Sequence, residues 1–341
     1  MAVFGGNSMT ITTGANFIPE LWSDETIAAY KQQLVLGNLV TKIPFKGKKG
    51  DTLHIPVPAR GTASAKAANT IVTLVTDTAG IKDVSINKHY EYSYVFEDIA
   101  EVQGLASMRK FYTDAAAYGL AQRIDRDLHL LGATFNAGVI TATGTTSYEK
   151  AVIGGDGSTL FSGATPGNGT ALTDAGIRQI IQTLEDSDVN SAELSFVIPP
   201  VEAKVLRGIA RFTEQAFIGN GDVIKTGRLG NLYGVEVFQS TNCPWIHVDS
   251  GTSTQFVSFS GTTPTTGVDE LGMTVTISGT ITKYRACLML HKEAMAHAEQ
   301  MGIRTQAQYK QEYLGTLLTA DTIYGVAELR DYAALAVVVP A

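Results

Sequence analysis

Residues 81–96 read IKDVSINKHYEYSYVF, an unusually long alternation of apolar or aromatic residues with polar ones. One face of this alternation holds Val84, Ile86, Tyr90, Tyr92, Tyr94 and Phe96, with Lys88 as the exception. A two-residue period predicts a β-strand. Fully extended, such a run would span roughly 50 Å at about 3.3 Å per residue, whereas a typical strand has about five or six residues. We therefore predict that part of it projects beyond the body of the protein.

The preceding residues predict the rest of a β-hairpin that covers residues 51–96. Residues 50–56 read GDTLHIP, which is typical of a turn leading into a strand. Residues 70–76 read TIVTLVT, and their β-branched side chains predict a further extended piece before a turn at Gly80. A projecting ribbon with unpaired edges promotes aggregation of a monomer, but a neighbouring molecule can complete it.

Helical patterns flank this hairpin on both sides. Residues 1–50 predict an N-terminal arm with a short amphipathic helix from about Ser23 to Leu36, which Gly37 ends. A helix this short needs a surface to lie on, either the protein's own core or a neighbouring subunit. Residues 97–135 predict one long helix, and if it is continuous it measures roughly 57 Å.

The remaining chain divides into four segments by composition. Loops rich in Thr, Gly and Ser follow the long helix and complete a segment over residues 97–170. Residues 171–244 alternate helix and strand patterns and predict an α/β unit. Residues 245–285 look like a β-rich insertion, with strand candidates at 256–259, 273–277 and 280–284. Residues 286–341 return to apolar strands, so the fold class is α+β.

Composition narrows the classes of function. Charged residues make up only 17% of the 341 residues, against about 25% in a typical soluble protein, which fits a surface that partly meets protein instead of water. The net charge is −7 and no basic stripe occurs, which argues against dedicated DNA binding. Cys243 and Cys287 form no metal or redox motif and are expected to be buried small hydrophobic residues. No signal peptide or membrane-spanning stretch is evident.

The common catalytic and metal-binding templates do not fit, and we predict no enzyme activity, cofactor or metal. There is no GxSxG and no GxxxxGK[ST]. His291 and His297 are six residues apart, a poor spacing for one zinc ion on a helix. The carboxylate pair Asp125 and Asp127 is expected to lie on a solvated helix face and not to act as an acid–base pair.

The order of these pieces resembles the major capsid proteins of tailed phages, whose fold, the Johnson fold, is also used by encapsulin shells. Residues 50–56 are similar to the strand that opens the family's extended loop. Residues 230–240, GNLYGVEVFQS, followed by Pro244, resemble its axial-domain strand. Residues 313–324 and 334–339 look like the closing strands of its peripheral domain. The resemblance covers nearly the whole chain.

The resemblance implies a protein that assembles with copies of itself into pentamers and hexamers of an icosahedral shell. It also implies a separate scaffolding protein, a portal, a decoration protein, and enclosed double-stranded DNA held without sequence-specific contact, in a virion made in the host cytoplasm. The residues that we expect at contacts between subunits are Trp22, Tyr30, Arg60, Lys66, Lys82, Phe212, Phe217 and Arg228. Some family members cross-link a loop lysine to a neighbour's asparagine; Lys66 and Lys82 lie in the corresponding segment, with ordinary solvated lysines as the alternative.

Two other functions remain open at this point. A cellular encapsulin-type compartment would use the same fold, and a cargo-docking groove would favour it. A catalytic α/β protein built around residues 171–243 would behave as a stable monomer.

Overall fold

The computed structural model describes most of the chain from residue 31 onward. The described residues are 31, 34–44, 50–57, 63–72, 74, 80–98, 108–135, 153–161, 169–209, 230–252, 254–263 and 267–341.

Four helices and fourteen strands are assigned within these residues. The helices are α1 (Leu36–Leu39), α2 (Met108–Leu131), α3 (Asp174–Asp186) and α4 (Pro200–Arg207). The first seven strands are β1 (Thr41–Pro44), β2 (Thr52–Val57), β3 (Gly80–Ser85), β4 (Lys88–Glu97), β5 (Ile153–Gly154), β6 (Leu194–Ile198) and β7 (Asn231–Leu232). The others are β8 (Val235–Gln239), β9 (Trp245–Asp249), β10 (Gln255–Ser258), β11 (Ile281–His291), β12 (Met295–Lys310), β13 (Gly315–Glu328) and β14 (Ala334–Pro340).

An eight-stranded mixed sheet holds the main hydrophobic core. Its central path runs β10-β9-β11-β6-β8-β7, and β14 pairs with β11 and with β5. The apolar face of α3, formed by Ile177, Ile180, Ile181 and Leu184, is buried as its helical spacing predicts. Thr173 caps this helix by accepting a hydrogen bond from the Gly176 amide.

A second sheet has four strands in the order β1-β12-β13-β4, and the long helix α2 packs on it. Strands β12 and β13 form the longest ribbon in the described chain, paired from Met295 with Glu328 out to Lys310 with Gly315. With 16 residues in β12, this ribbon extends for about 50 Å. A third, two-stranded sheet pairs β2 with β3.

The long strand predicted over residues 81–96 is divided in two. Residues 80–85 pair with β2, whereas residues 88–97 pair with β13 in the four-stranded sheet. The projecting hairpin is therefore shorter than predicted, and the residues 86–87 connect two sheets. Of residues 70–76, those that are described, 70–72 and 74, lie in no strand, so these four residues do not pair with any described strand.

Two predicted helices also differ from the structure. The long helix, α2, has 24 residues and ends at Leu131, where a 3-10 turn over residues 132–134 replaces its expected last turn. Residues 99–107, where its predicted start lies, are outside the described residues. Gly37 lies within the single turn α1 instead of ending a longer helix, and most of that predicted helix, residues 23–30, also falls outside the described part. The turn packs on the protein's own core, since Val35, Leu36 and Val40 are buried there.

Most of the predicted α/β unit is confirmed at the level of elements. Strand β6 and helix α4, with Pro200 in its first turn, occur where predicted. The strand predicted over residues 232–238 is instead a tight hairpin, because Tyr233 and Gly234 both have positive φ (52° and 86°) and reverse the chain. Strands β9 and β10 join the eight-stranded sheet, while residues 273–277 form no strand and make only one isolated bridge, through Thr274.

Candidate assembly surface

The segment beyond the β2–β3 hairpin carries large apolar side chains that its own chain does not cover. Ile71 is 92% exposed and Leu74 is 87% exposed, and Val72 is also exposed. Single exposed apolar residues are ordinary, but three within four positions form a patch. Such a patch is expected of a surface that another molecule covers.

A groove of about 570 Å³ lies beside the loop end of the same hairpin, where β2 ends at Val57. Ile55, Val57, Leu329 and Tyr332 supply its apolar wall. Its rim carries charged side chains, including Lys82, whose Nζ lies 3.4 Å from a Glu328 carboxylate oxygen. This combination of an apolar centre and a charged rim is the usual composition of a protein interface.

The structure locates two of the eight contact residues predicted from the sequence. Lys66 is exposed in the hairpin loop, and Lys82 is half-buried on β3, where it pairs with Glu328. The other six are outside the described residues: Trp22, Tyr30, Arg60, Phe212, Phe217 and Arg228. The contact role of all eight stays a prediction.

Asp127 fixes α2 to the four-stranded sheet through a buried polar cluster. Its carboxylate lies 2.9 Å from Lys88 Nζ and 3.1 Å from Arg123 Nη2, and it accepts a 2.7 Å hydrogen bond from the Tyr324 hydroxyl. Burial and this hydrogen bond raise the pKa of Tyr324 well above its usual value. The expectation of a solvated carboxylate is therefore wrong, since Asp127 is only 1% exposed. Lys88, the one polar residue on the apolar face of its strand, is its partner.

Asp125 likewise fixes α2 to its neighbours, on the opposite side of the helix. Two residues along an α-helix are about 200° apart, so Asp125 and Asp127 face different neighbours. Asp125 Oδ1 accepts hydrogen bonds from the backbone amides of Val35 (3.2 Å) and Leu36 (2.9 Å). Its Oδ2 accepts a 2.8 Å bond from Asn242 Nδ2. One buried carboxylate thus joins the N-terminal segment, α2 and the end of the eight-stranded sheet.

We expect Asp125→Ala to loosen the N-terminal segment before anything else. A hydrogen bond to a charged group contributes about 1.5–3 kcal/mol, so amide hydrogen exchange at Val35 and Leu36 should rise roughly 10- to 100-fold. Trypsin cleavage after Lys31 should accelerate with it. Asp114→Ala, an exposed change on the same helix, is the matched control. Unchanged exchange at the two amides in the Asp125 variant would contradict this assignment.

Three buried histidines make the fold sensitive to acid. Burial lowers the pKa of His129 to about 4; the Asp125 carboxylate partly opposes this shift, and the Arg285 guanidinium adds to it. Burial also lowers the pKa of His247 and of His297. Each is therefore neutral in the folded protein at pH 7.

Stability should fall as the pH decreases from about 6.5 to 4. The unfolded chain binds a proton at His129 from about pH 6.5, while the folded chain binds it only near pH 4. The contribution of neutral His129 to the free energy of unfolding is fully present above pH 6.5 and is lost by pH 4. The loss amounts to about 3 kcal/mol for this residue. Urea unfolding at pH 7.0, 5.5 and 4.5 measures it. In His129→Gln the free energy of unfolding should depend less on pH, whatever the effect of the substitution at pH 7. An unaltered pH dependence would refute the prediction.

Cys243 and Cys287 are fully buried and free, as predicted, and burial raises the pKa of the Cys243 thiol to about 12. Among the described residues, no group of three His, Cys, Asp or Glu side chains is arranged to hold a metal. No helix in the part of the chain that the structure describes is long and apolar enough to cross a membrane.

Comparison with known proteins gives a structural likeness without a sequence relative. No protein-family model matches the chain, and no curated protein matches it. A solved chain of Mycobacterium phage Che8 is 21% identical and superposes with a TM-score of 0.66, covering 94% of this chain and 97% of that one. The capsid of cyanophage P-SCSP1u gives 14% identity and a TM-score of 0.68, over 98% and 96% of the two chains.

The likeness extends over complete chains. The capsid of Helicobacter pylori bacteriophage KHP30, at 12% identity and a TM-score of 0.65, covers 100% of both chains. Agreement of this extent at such low identity reflects the fold itself. The protein therefore has the α+β phage coat fold, the Johnson fold predicted from its sequence.

Proposed function

We propose that this protein is the major capsid protein of a tailed bacteriophage and that its copies assemble into the icosahedral shell that encloses the phage DNA. The observation that carries the proposal is the match over the whole chain to phage capsid structures. The uncovered apolar patch at residues 71–74 supports it, because a subunit designed to remain alone would not expose these side chains.

The two sheets supply the parts that such a subunit needs. We assign the axial domain to residues 171–244 with α3 and α4, and the peripheral domain to residues 97–170 with α2. The returning strands of residues 286–341 serve both domains, and residues 245–285 add β9 and β10. Residues 51–96 form the extended loop, and residues 1–50 form the N-terminal arm. Buried Asp125 and Asp127 keep α2 fixed to its neighbours, so that the body acts as a rigid wedge in a ring while the loop reaches outward.

The partners follow from this role. Copies of the chain form pentamers and hexamers, a separate scaffolding protein directs their curvature, and a portal and a decoration protein join the shell. The acidic net charge of −7 suits a wall that encloses DNA without sequence-specific contact, because it does not pin phosphates to the surface. The chain is made in the host cytoplasm and ends in the virion.

The alternatives have less support. The solved structures reported above come from phages, and two of them are described as capsids; this favours a phage shell over an encapsulin compartment. No observation favours a catalytic α/β protein built around residues 171–243.

Electron microscopy of the purified chain tests the proposal. We expect negative-stain images to show closed shells, or pentamers and hexamers, when the chain is expressed with a scaffolding protein. Gel filtration without the scaffold should give species larger than the 36.3 kDa monomer. A stable monomer under both conditions would contradict the proposal.

A further inference from the structure

Strand β4 presents an open edge to its surroundings. It pairs with β13 along one side, and among the described residues no strand pairs with its other side. An edge strand exposes a row of unpaired amide and carbonyl groups, which is a template for another chain. The pairing of β4 with β13 continues over ten residues without a register shift, so this edge is long and regular.

The C-terminal half of the β4 edge also lacks most of the features that usually protect an edge. Residues 92–96 read YSYVF and hold no charge, and the charges of the strand lie at Lys88, Glu91 and Glu97. Tyr92, Tyr94 and Val95 are 38%, 39% and 38% exposed. Bulges, prolines and charges normally blunt such edges. Their absence from these residues indicates that the edge is kept open for a partner.

The same sheet has a second free edge, at the outer half of β12, but that edge is protected. Strand β1 covers β12 only opposite residues 296–299. Beyond them, two register shifts fall between Glu299 and Arg304. Arg304 then carries a charge that is held by a bidentate pair with Asp321, at 2.8 and 3.0 Å. Bulges and charge together make β12 the poorer acceptor.

The hairpin loop contains a strand-forming segment whose described residues pair with no described strand. Residues 70–76, TIVTLVT, are uncharged, β-branched and free of proline, the composition of segments that pair readily with other strands. The described residues 70–72 and 74 are nevertheless in no strand and are exposed. Strand β3, about 20 Å long, separates this segment from the β4 edge of its own chain.

We propose that residues 70–76 of one subunit add as a fifth strand to the open edge of β4 in a second copy of the chain. This inference rests on the proposed shell function and specifies which two segments meet. Seven extended residues measure about 23 Å and the ten-residue edge about 33 Å, so the segment fits within the edge. Main-chain hydrogen bonds provide the attachment, and the apolar side chains of the segment cover Tyr92, Tyr94 or Val95.

Cysteine cross-linking within assembled shells tests the pairing. Val72→Cys is combined in turn with one cysteine at each position from 90 to 95, which samples every register that keeps residues 70–76 within the ten-residue edge. Opposed residues on paired strands have Cβ atoms about 4.5–5.5 Å apart, within reach of a disulfide after small adjustments. The native cysteines are buried and should not react. Oxidation should give a ladder of linked chains on a non-reducing gel with at least one pair, and none with Val72→Cys alone.

The outcomes separate this inference from the proposed function. Intact shells without a ladder from any of these pairs would overturn the pairing and leave the shell function standing. A ladder obtained only with Val72→Cys and Gln308→Cys, on the β12 edge, would also overturn it. Failure of the unmodified chain to form shells would overturn both.

A proline pair gives an independent measurement. Val72→Pro with Leu74→Pro removes two amide donors, so shell yield should fall at least tenfold. Because both side chains are exposed in the single chain, the melting temperature of the soluble subunit should stay the same. Ser64→Pro, outside the strand-forming segment, should assemble normally. Normal shell yield from the double proline variant would refute the inference.

Discussion

Asp127→Ala should lower the free energy of unfolding by about 3–5 kcal/mol, the usual cost of removing one member of a buried ion cluster. The Asp127 carboxylate has no side-chain exposure and holds Lys88, Arg123 and the Tyr324 hydroxyl together. Its removal leaves Lys88 and the buried Tyr324 hydroxyl without their acceptor, while Arg123 keeps only Glu270, at 3.0 Å. Guanidinium unfolding followed by circular dichroism measures the loss.

Two further variants show whether the loss comes from the cluster itself. Asp114→Ala lies on the same helix but is exposed, and should change stability by less than about 0.5 kcal/mol. The double variant Lys88→Met with Asp127→Asn removes a cation together with the carboxylate charge. Its loss of unfolding free energy should be smaller than the sum of the losses in the two single variants. Strictly additive losses, or a loss below about 1 kcal/mol for Asp127→Ala, would show that the cluster does not hold α2 to the sheet.

Replacing residues 58–79 by Asn-Gly should abolish shell assembly and leave a folded subunit. Val57 and Gly80 are directly opposed in the β2–β3 register, so a two-residue turn can close the hairpin without strain. The described residues of the removed loop are exposed, and its shortening should change stability by only about 1 kcal/mol. Electron microscopy counts the shells, and thermal unfolding checks the subunit.

The control for this replacement keeps the loop and alters one exposed residue within it. Ser64→Ala should assemble as the unmodified chain does. Normal shells from the shortened chain would mean that the loop is dispensable, and the contacts between subunits would then have to lie on the body of the protein.

Local sequence patterns were sufficient for much of the fold. Helix α3 was predictable because its buried residues recur at helical spacing behind a threonine cap. Strands β6 and β14 were predictable because they are nearly continuous apolar runs. The order of these elements already resembled phage capsid proteins, and the superposition with solved phage chains confirms that fold.

The longest strand was missed for a physical reason. The outer half of β12, residues 303–309, reads IRTQAQY and is exposed. Its alternation is weak, because Thr305 and Ala307 stand between the only two large apolar or aromatic residues, Ile303 and Tyr309. Its extended conformation is imposed by pairing with β13, which has the stronger pattern of apolar residues. The division of residues 81–96 was missed for the related reason that alternation identifies extended chain but not the sheet that it joins.

Burial of charge was the other feature that sequence could not supply. Asp125 and Asp127 are two residues apart on a helix, a spacing equally typical of a solvated face. The hydrogen-bond partners of Asp125 include Val35 and Asn242, 90 and 117 residues away in the chain, and Tyr324 is 197 residues from Asp127. The sequence by itself determined the fold class, the main core elements and a loop too apolar to remain uncovered. Only the tertiary structure decided which strands share a sheet, which edge stays open and which carboxylates are buried, because those properties depend on residues that are distant in the chain and meet only after folding.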